Sequence, residues 1–113
     1  MKISDSIMYL TKRQRKNDCQ LITTALEAWP ERLTGGTMED FEGFYCAVGA
    51  IRKANGFKPS GAAYAKDISR ETREIIIDAN DGHTRSGEYR PDRRRARRMK
   101  DFCQNLLKDL CSD

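Results

Sequence analysis

The sequence predicts an all-α chain: a compact bundle of about four helices, with an arginine-rich loop and an arginine-rich C-terminal helix. Three observations predict it. Apolar residues recur at helical spacing in four stretches, and glycine-bearing breaks at Gly35-Gly36, Asn55-Gly56 and Asp81-Gly82 separate those stretches. The 113 residues leave room for one helical domain, residues 1–113. A hydrophobic fraction of 38% beside a charged fraction of 34% is polar for a globular chain but too apolar for disorder, so a modest core is expected.

The first stretch, about residues 4–29, opens on Ser4 as an N-cap. It carries Ile3, Ile7 and Leu10, then Ile22, Ala25, Leu26 and Trp29, before Pro30 ends it. Thr11-Lys-Arg-Gln14 fits a capping box, so the stretch reads as two helices or as one helix with a solvated middle. The second, about 38–54, is expected to be the strongest core helix. Thr37 caps it with Asp40 three residues on, and Phe41, Phe44, Tyr45, Val48 and Ile51 share one face. Gly43 and Gly49 inside it cost about 1 kcal/mol each relative to alanine, which a close helix approach would offset.

The third stretch, about 60–79, begins at Ser60 after Pro59 and spaces Tyr64, Ile68, Thr72, Ile75, Ile76 and Ala79 helically. The β-branched run Ile75-Ile76-Ile77 leaves a short strand open as an alternative. The fourth starts near Pro91, a residue favoured at the first helical position, and runs to about Leu110. Met99, Phe102, Cys103, Leu106, Leu107, Leu110 and Cys111 follow the spacing i, i+3, i+4, i+7, i+8, i+11, i+12.

The N-terminus lacks the unbroken apolar segment of a secretory signal, and no window approaches the roughly 18 apolar residues of a membrane span. A cytoplasmic protein is expected, in the host cytoplasm if it is phage-encoded, with no membrane partner. Cys19, Cys46, Cys103 and Cys111 form no C-x-x-C pair and the single histidine, His83, stands apart, so neither a metal site nor a cofactor is expected. Each cysteine lies on or beside an apolar stripe, which reads as reduced core thiols.

Charge is the most informative feature. The net charge is only +4, but residues 83–113 hold 9 Lys and Arg against 5 Asp and Glu, and the rest of the chain balances. Arg85, Arg90, Arg93, Arg94, Arg95, Arg97, Arg98 and Lys100 crowd into a stretch whose acids are Glu88 and Asp92. On a helical wheel Arg90, Arg94, Arg97 and Arg98 turn away from the apolar stripe. Arg95 falls within it, so the helix start either projects past the core or brings Arg95 to an acid of the third stretch. Arginine suits an anionic partner, because its planar fork binds phosphate or carboxylate bidentately. The bland alternative is a solvated face neutralised by Asp67, Glu71, Glu74 and Asp78. Tyr89 beside Arg90 could stack on a base. A second basic run, Lys12, Arg13, Arg15 and Lys16, could join the first in space or form a solvated helix face.

The stretch Ala65 to Ile75 resembles a fragment of a helix-turn-helix over eleven residues, with a small residue followed by a Ser-Arg-x-Thr start. It lacks the glycine-containing turn between the two helices, so one continuous helix is expected there. His83 has no nucleophile tied to it by a motif, Glu39-Asp40 sits where carboxylates complement a helix start, and phosphate-binding glycine motifs are missing. The expectation is a small non-enzymatic accessory or regulatory protein. It would bind DNA or RNA through Arg85, Tyr89, Arg90, Arg93, Arg94, Arg97 and Arg98, with Lys12, Arg13, Arg15 and Lys16 as the second patch. One alternative is an inhibitor or adaptor, of the kind frequent among phage and mobile-element products, docking its basic face on an acidic host protein. Another is a virion or assembly component that oligomerises through its helices.

Overall fold

The computed structural model describes residues 7–40, 42–60, 66–82 and 90–111. Among them are four α-helices: α1 Lys12–Glu27, α2 Ala47–Ala54, α3 Arg70–Asp81 and α4 Arg93–Leu110. Ser4, Phe41, Tyr64, His83, Arg85 and Tyr89 lie outside the described residues. The all-α bundle of about four helices is therefore observed, with changed boundaries.

The capping box forms as the spacing predicts. Thr11 accepts from the Gln14 amide at 3.0 Å and Gln14 returns the bond to the Thr11 amide at 2.9 Å, so α1 starts afresh at Lys12. Ile7 and Leu10, just ahead of it, are buried in the core.

The second helix is shorter than the expected 38–54. Asp40 turns its carboxylate onto the amides of Glu42 and Phe44, both at 2.9 Å, and Gly43 takes φ 86°. The chain reverses there, and Glu39 faces Tyr45 across an antiparallel bridge. A short acceptor side chain that binds nearby amides offers the backbone an alternative to helix, and here it wins. Thr37 does not cap the helix, since its hydroxyl donates to the Glu39 carbonyl. Cys46 caps instead, its sulfur accepting from the Gly49 amide at 3.4 Å. A Cβ on Gly49 would lie 2.0 Å from the Met38 carbonyl oxygen, so the close approach involves the loop and not another helix.

The third stretch also changes. Lys66 takes φ 65° and Asp67 accepts from the Ile68 amide at 2.7 Å, so the chain turns before Ser69 and no continuous helix runs from 66 to 75. Ile75 to Ile77 are helical, which removes the strand alternative. In the fourth, Asp92 and not Pro91 sets the start, by accepting from the Arg94 amide at 2.7 Å. Asp92 and Leu33 exchange both backbone hydrogen bonds, at 2.9 and 3.2 Å, and so clamp the entry to α4 against the loop after α1.

Ile22, Val48, Ile51, Ile76, Met99 and Cys103 form the centre of one core shared by all four helices. Buried polar side chains tie the helix ends together. Asp18 of α1 is 0% exposed and accepts from the Ser69 amide at 2.9 Å and from the Thr72 hydroxyl at 2.6 Å, which supplies the cap that Ser69 does not make itself. Asn80 accepts from the Ala47 amide at the start of α2 and donates to the Thr34 carbonyl. Arg52 pairs with Asp67 at 3.1 Å, both side chains buried.

The four cysteines divide. Cys46 and Cys103 are free and buried, as expected. Cys19 and Cys111 form a disulfide, with Cα atoms 6.1 Å apart, so these two are not reduced core thiols. Spacing within one helix excludes a Cys103–Cys111 bridge but is silent on a partner 92 residues away, which antiparallel packing of α1 on α4 brings alongside. Closing so long a loop stabilises the chain by about 4.6 kcal/mol in the chain-entropy account.

Thiol counting tests this division. Burial pushes the Cys103 thiol up to about 12 and also raises that of Cys46, so neither reacts in the native protein. Denaturation without reductant exposes the 2 free thiols, and reductant raises the count to all 4 cysteines of the chain. Four reactive thiols without reductant would contradict the bridge.

Asp18 gives a pH signature. Burial raises its pKa above 3.8, against the lowering effect of the Thr72 and Ser69 hydrogen bonds. Between 3.8 and the raised value the folded chain holds more proton than the unfolded one. This group's contribution to stability therefore grows as pH falls through the folded pKa, and levels off below the unfolded one. Urea unfolding at pH 7 and pH 4 should show wild type gaining on Asp18→Asn at the lower pH; equal pH dependence in both would overturn the assignment.

Candidate polyanion-binding site

The arginines of α4 fall into two groups that sequence spacing does not separate. Arg95 is 7% exposed, and its Nε donates to the Asn80 carbonyl at 3.2 Å while Nη1 donates to the Arg90 carbonyl at 3.2 Å. Arg98 is half-buried and donates to the Ala79 carbonyl through Nη1 and to the Asn80 carbonyl at 3.1 Å through Nη2. These carbonyls belong to the last turn of α3, where helix geometry leaves acceptors without intrahelical donors and a partial negative charge. Burial, and then the nearby Arg95 charge, lower the pKa of Arg98.

Two expectations are corrected. Arg98 is half-buried and not turned freely to solvent, because its guanidinium donates to carbonyls at the end of α3. Arg95 is neither carried past the core on a projecting helix start nor held only by acids, since backbone carbonyls of residues 80 and 90 receive it.

Arg90, Arg93, Arg94 and Arg97 are exposed. Arg93, Arg97 and Lys100, one and two turns apart on α4, line a groove of about 450 Å³ together with Trp29, Pro30, Glu31 and Ala96. Trp29 is half-buried, and its indole N–H donates to the Ala96 carbonyl at 2.8 Å. A second hollow shares Pro30, Glu31 and Arg93 with the first and adds Arg32, Phe44 and Tyr45, so the two adjoin in one region of the surface. Four cations and three aromatic rings line the two hollows, with Glu31 as the acid. Further along α4, Gln104 and Lys108 continue the row, and Arg93, Arg97, Lys100, Gln104 and Lys108 share an arc of about 80°. Asp101 borders that arc, one turn on from Arg97, and Asp109 lies on the side of Arg94 and Arg98.

The acids proposed to neutralise this surface are partly engaged elsewhere. Asp67 pairs with Arg52, and Glu74 lies 4.0 Å from Arg70 on its own helix.

The second basic run does not join the first. Lys12, Arg15 and Lys16 line a hollow with Cys19, Gln20 and the C-terminal residues Leu110 and Cys111, and Arg13 and Lys16 border another with Lys66 and Ser69. Because α1 and α4 run antiparallel, the two patches lie towards opposite ends of the pair, with Lys100 and Leu110 about 15 Å apart along α4. Reading α4 alone could not find Trp29, Arg32, Phe44 and Tyr45. Trp29 and Tyr45 read as core positions, and only the reversal at Asp40 and the break at Pro30 bring them to the rim.

Among the described residues no helix is long and apolar enough to cross a membrane, and no group of three or more His, Cys, Asp and Glu side chains could hold a metal. Comparison of the chain with protein-family models, with curated proteins and with solved structures finds no match.

The two arginine groups should separate by stability. Arg95→Met removes charge-assisted hydrogen bonds at a buried site and costs about 2–3 kcal/mol in chemical denaturation. Arg93→Met and Arg97→Met stay within about 0.5 kcal/mol of wild type. Equal losses at positions 95 and 97 would contradict the division.

Proposed function

We propose that this chain is a small non-enzymatic nucleic-acid-binding protein that holds its ligand in the hollows between the end of α1 and the start of α4. The observation that carries the reading is the convergence of Arg32, Arg93, Arg97 and Lys100 with Trp29, Phe44 and Tyr45 in two adjoining hollows. Exposed arginine costs little to neutralise and pairs bidentately with phosphate, while aromatic rings offer base-sized apolar faces. An acidic protein surface would use the cations but has less use for the aromatic floor. Arg90 and Arg94, exposed near the start of α4 but outside the lining of either hollow, add to the local positive potential. Lys12, Arg13, Arg15 and Lys16 lie too far along α1 to touch the same short segment, and they extend the footprint only on a longer ligand.

Fluorescence anisotropy with labelled single-stranded and duplex oligonucleotides at two salt concentrations tests this. Binding is expected in the low-micromolar range or tighter. Engagement of four cations predicts a slope of log K against log salt of about −3 to −4. Arg93→Glu/Arg97→Glu should weaken binding of every nucleic acid by more than tenfold. Absence of salt-sensitive binding would overturn the reading and leave a protein partner as the successor.

A further inference from the structure

We propose that the hollows take a single-stranded segment, with one base stacked against Trp29 and the flanking phosphates on Arg93, Arg97 and Lys100; this rests on the nucleic-acid reading above. Three observations carry it.

The first is how Trp29 is held. Its one polar edge, the indole N–H, is used inward on the Ala96 carbonyl, so the part of the ring that lines the groove is carbon surface. An anchored, half-buried ring with its donor satisfied is preorganised as a stacking platform, because little side-chain freedom remains to be lost on binding. Pro30 and Ala96 flank it, and neither brings a long side chain that would fill the space.

The second is the grouping of side chains in the hollows. Trp29 is flanked on α4 by Arg93, Arg97 and Lys100, and Phe44 and Tyr45 sit with Arg32 beyond the shared Arg93. Each hollow thus pairs aromatic with cationic side chains, which suits unstacked bases joined by phosphates. Glu31, common to both hollows, is an acceptor that a base amine can satisfy and a phosphate cannot, so it marks the base side of the site.

The third is shape. A helix that reads duplex DNA protrudes into the major groove. Here Arg93, Arg97 and Lys100 share a hollow with Trp29, Pro30 and Glu31, so the cations of α4 border an aromatic surface and are not carried on a lone protruding helix. A duplex also keeps its bases stacked on one another and has no face to offer Trp29.

The chain's single tryptophan makes the test direct. Intrinsic fluorescence is titrated with a twelve-residue oligothymidylate and, separately, with a duplex hairpin of equal nucleotide content. Anisotropy is followed in parallel. The proposal expects the oligothymidylate to quench tryptophan emission and to bind at least tenfold tighter than the hairpin. Trp29→Leu, which keeps apolar volume without a ring face, should weaken oligothymidylate binding by roughly fivefold or more and hairpin binding by a clearly smaller factor; an equal loss for both would contradict stacking of an unpaired base. Tyr45→Leu serves as a second variant in the other hollow, with a smaller loss in the same direction. Equal binding of both nucleic acids without any emission change overturns the single-strand proposal while nucleic-acid binding stands. Failure of both to bind overturns the reading beneath it as well.

Discussion

The last turn of α3 sets the arrangement of everything near the candidate site. Its carbonyls at residues 79 and 80 sit against α4, in a place where water cannot serve all of them as hydrogen-bond donor, so donors must come from the protein. Arg95 and Arg98 supply them. A guanidinium has five N–H donors and a fixed plane, which lets two side chains satisfy several acceptors at once and places positive charge at the negative end of the helix. The neighbouring Asn80 side chain uses the same junction to hold the first amide of α2.

That junction fixes the rotation of α4 about its own axis. With Arg95 and Arg98 turned to α3, and Met99 and Cys103 to the core, Arg93, Arg97 and Lys100 have only the opposite flank left, beside the end of α1. Of α4's own acids, Asp101 borders the row that results, one turn on from Arg97, and Asp109 falls on the side of Arg98. A rotation of one residue, about 100°, would put the acids into the groove and leave α3 without its donors. The disulfide between Cys19 and Cys111 holds the far end of the same helix pair, so both ends of the α1–α4 contact are pinned. Such bridges persist in oxidising surroundings and are rare in a reducing cytosol. The redox state of this bond therefore bears directly on where the protein works.

Much of the fold is legible in the sequence. The heptad-like stripe from Met99 to Leu110 and the capping box at Thr11 report local physics, and both are where spacing puts them. The misread segments share a cause. At Asp40 and at Asp67 a short carboxylate binds nearby amides and bends the chain, and this competes with an apolar spacing that looks equally helical on paper. Of the candidate site, the cationic half was legible as an arginine cluster. The division of that cluster was not, because it depends on which face of α4 meets the end of α3, a contact between residues 15 to 19 positions apart. The aromatic half lies on two loops whose approach to α4 is set by the Leu33–Asp92 pairing and the Asp40 reversal, and no local pattern encodes it.

The partition of arginines is the centre of this account, and side-chain NMR of the arginine Nε–H groups reads it in one sample. Arg95 should give a signal that is protected from solvent exchange in the free protein, and neither it nor Arg98 should shift as oligonucleotide is added. Arg93 and Arg97 should exchange quickly in the free protein and then shift and sharpen during the titration. A titration in which Arg95 and Arg98 move while Arg93 and Arg97 stay unchanged would contradict the account.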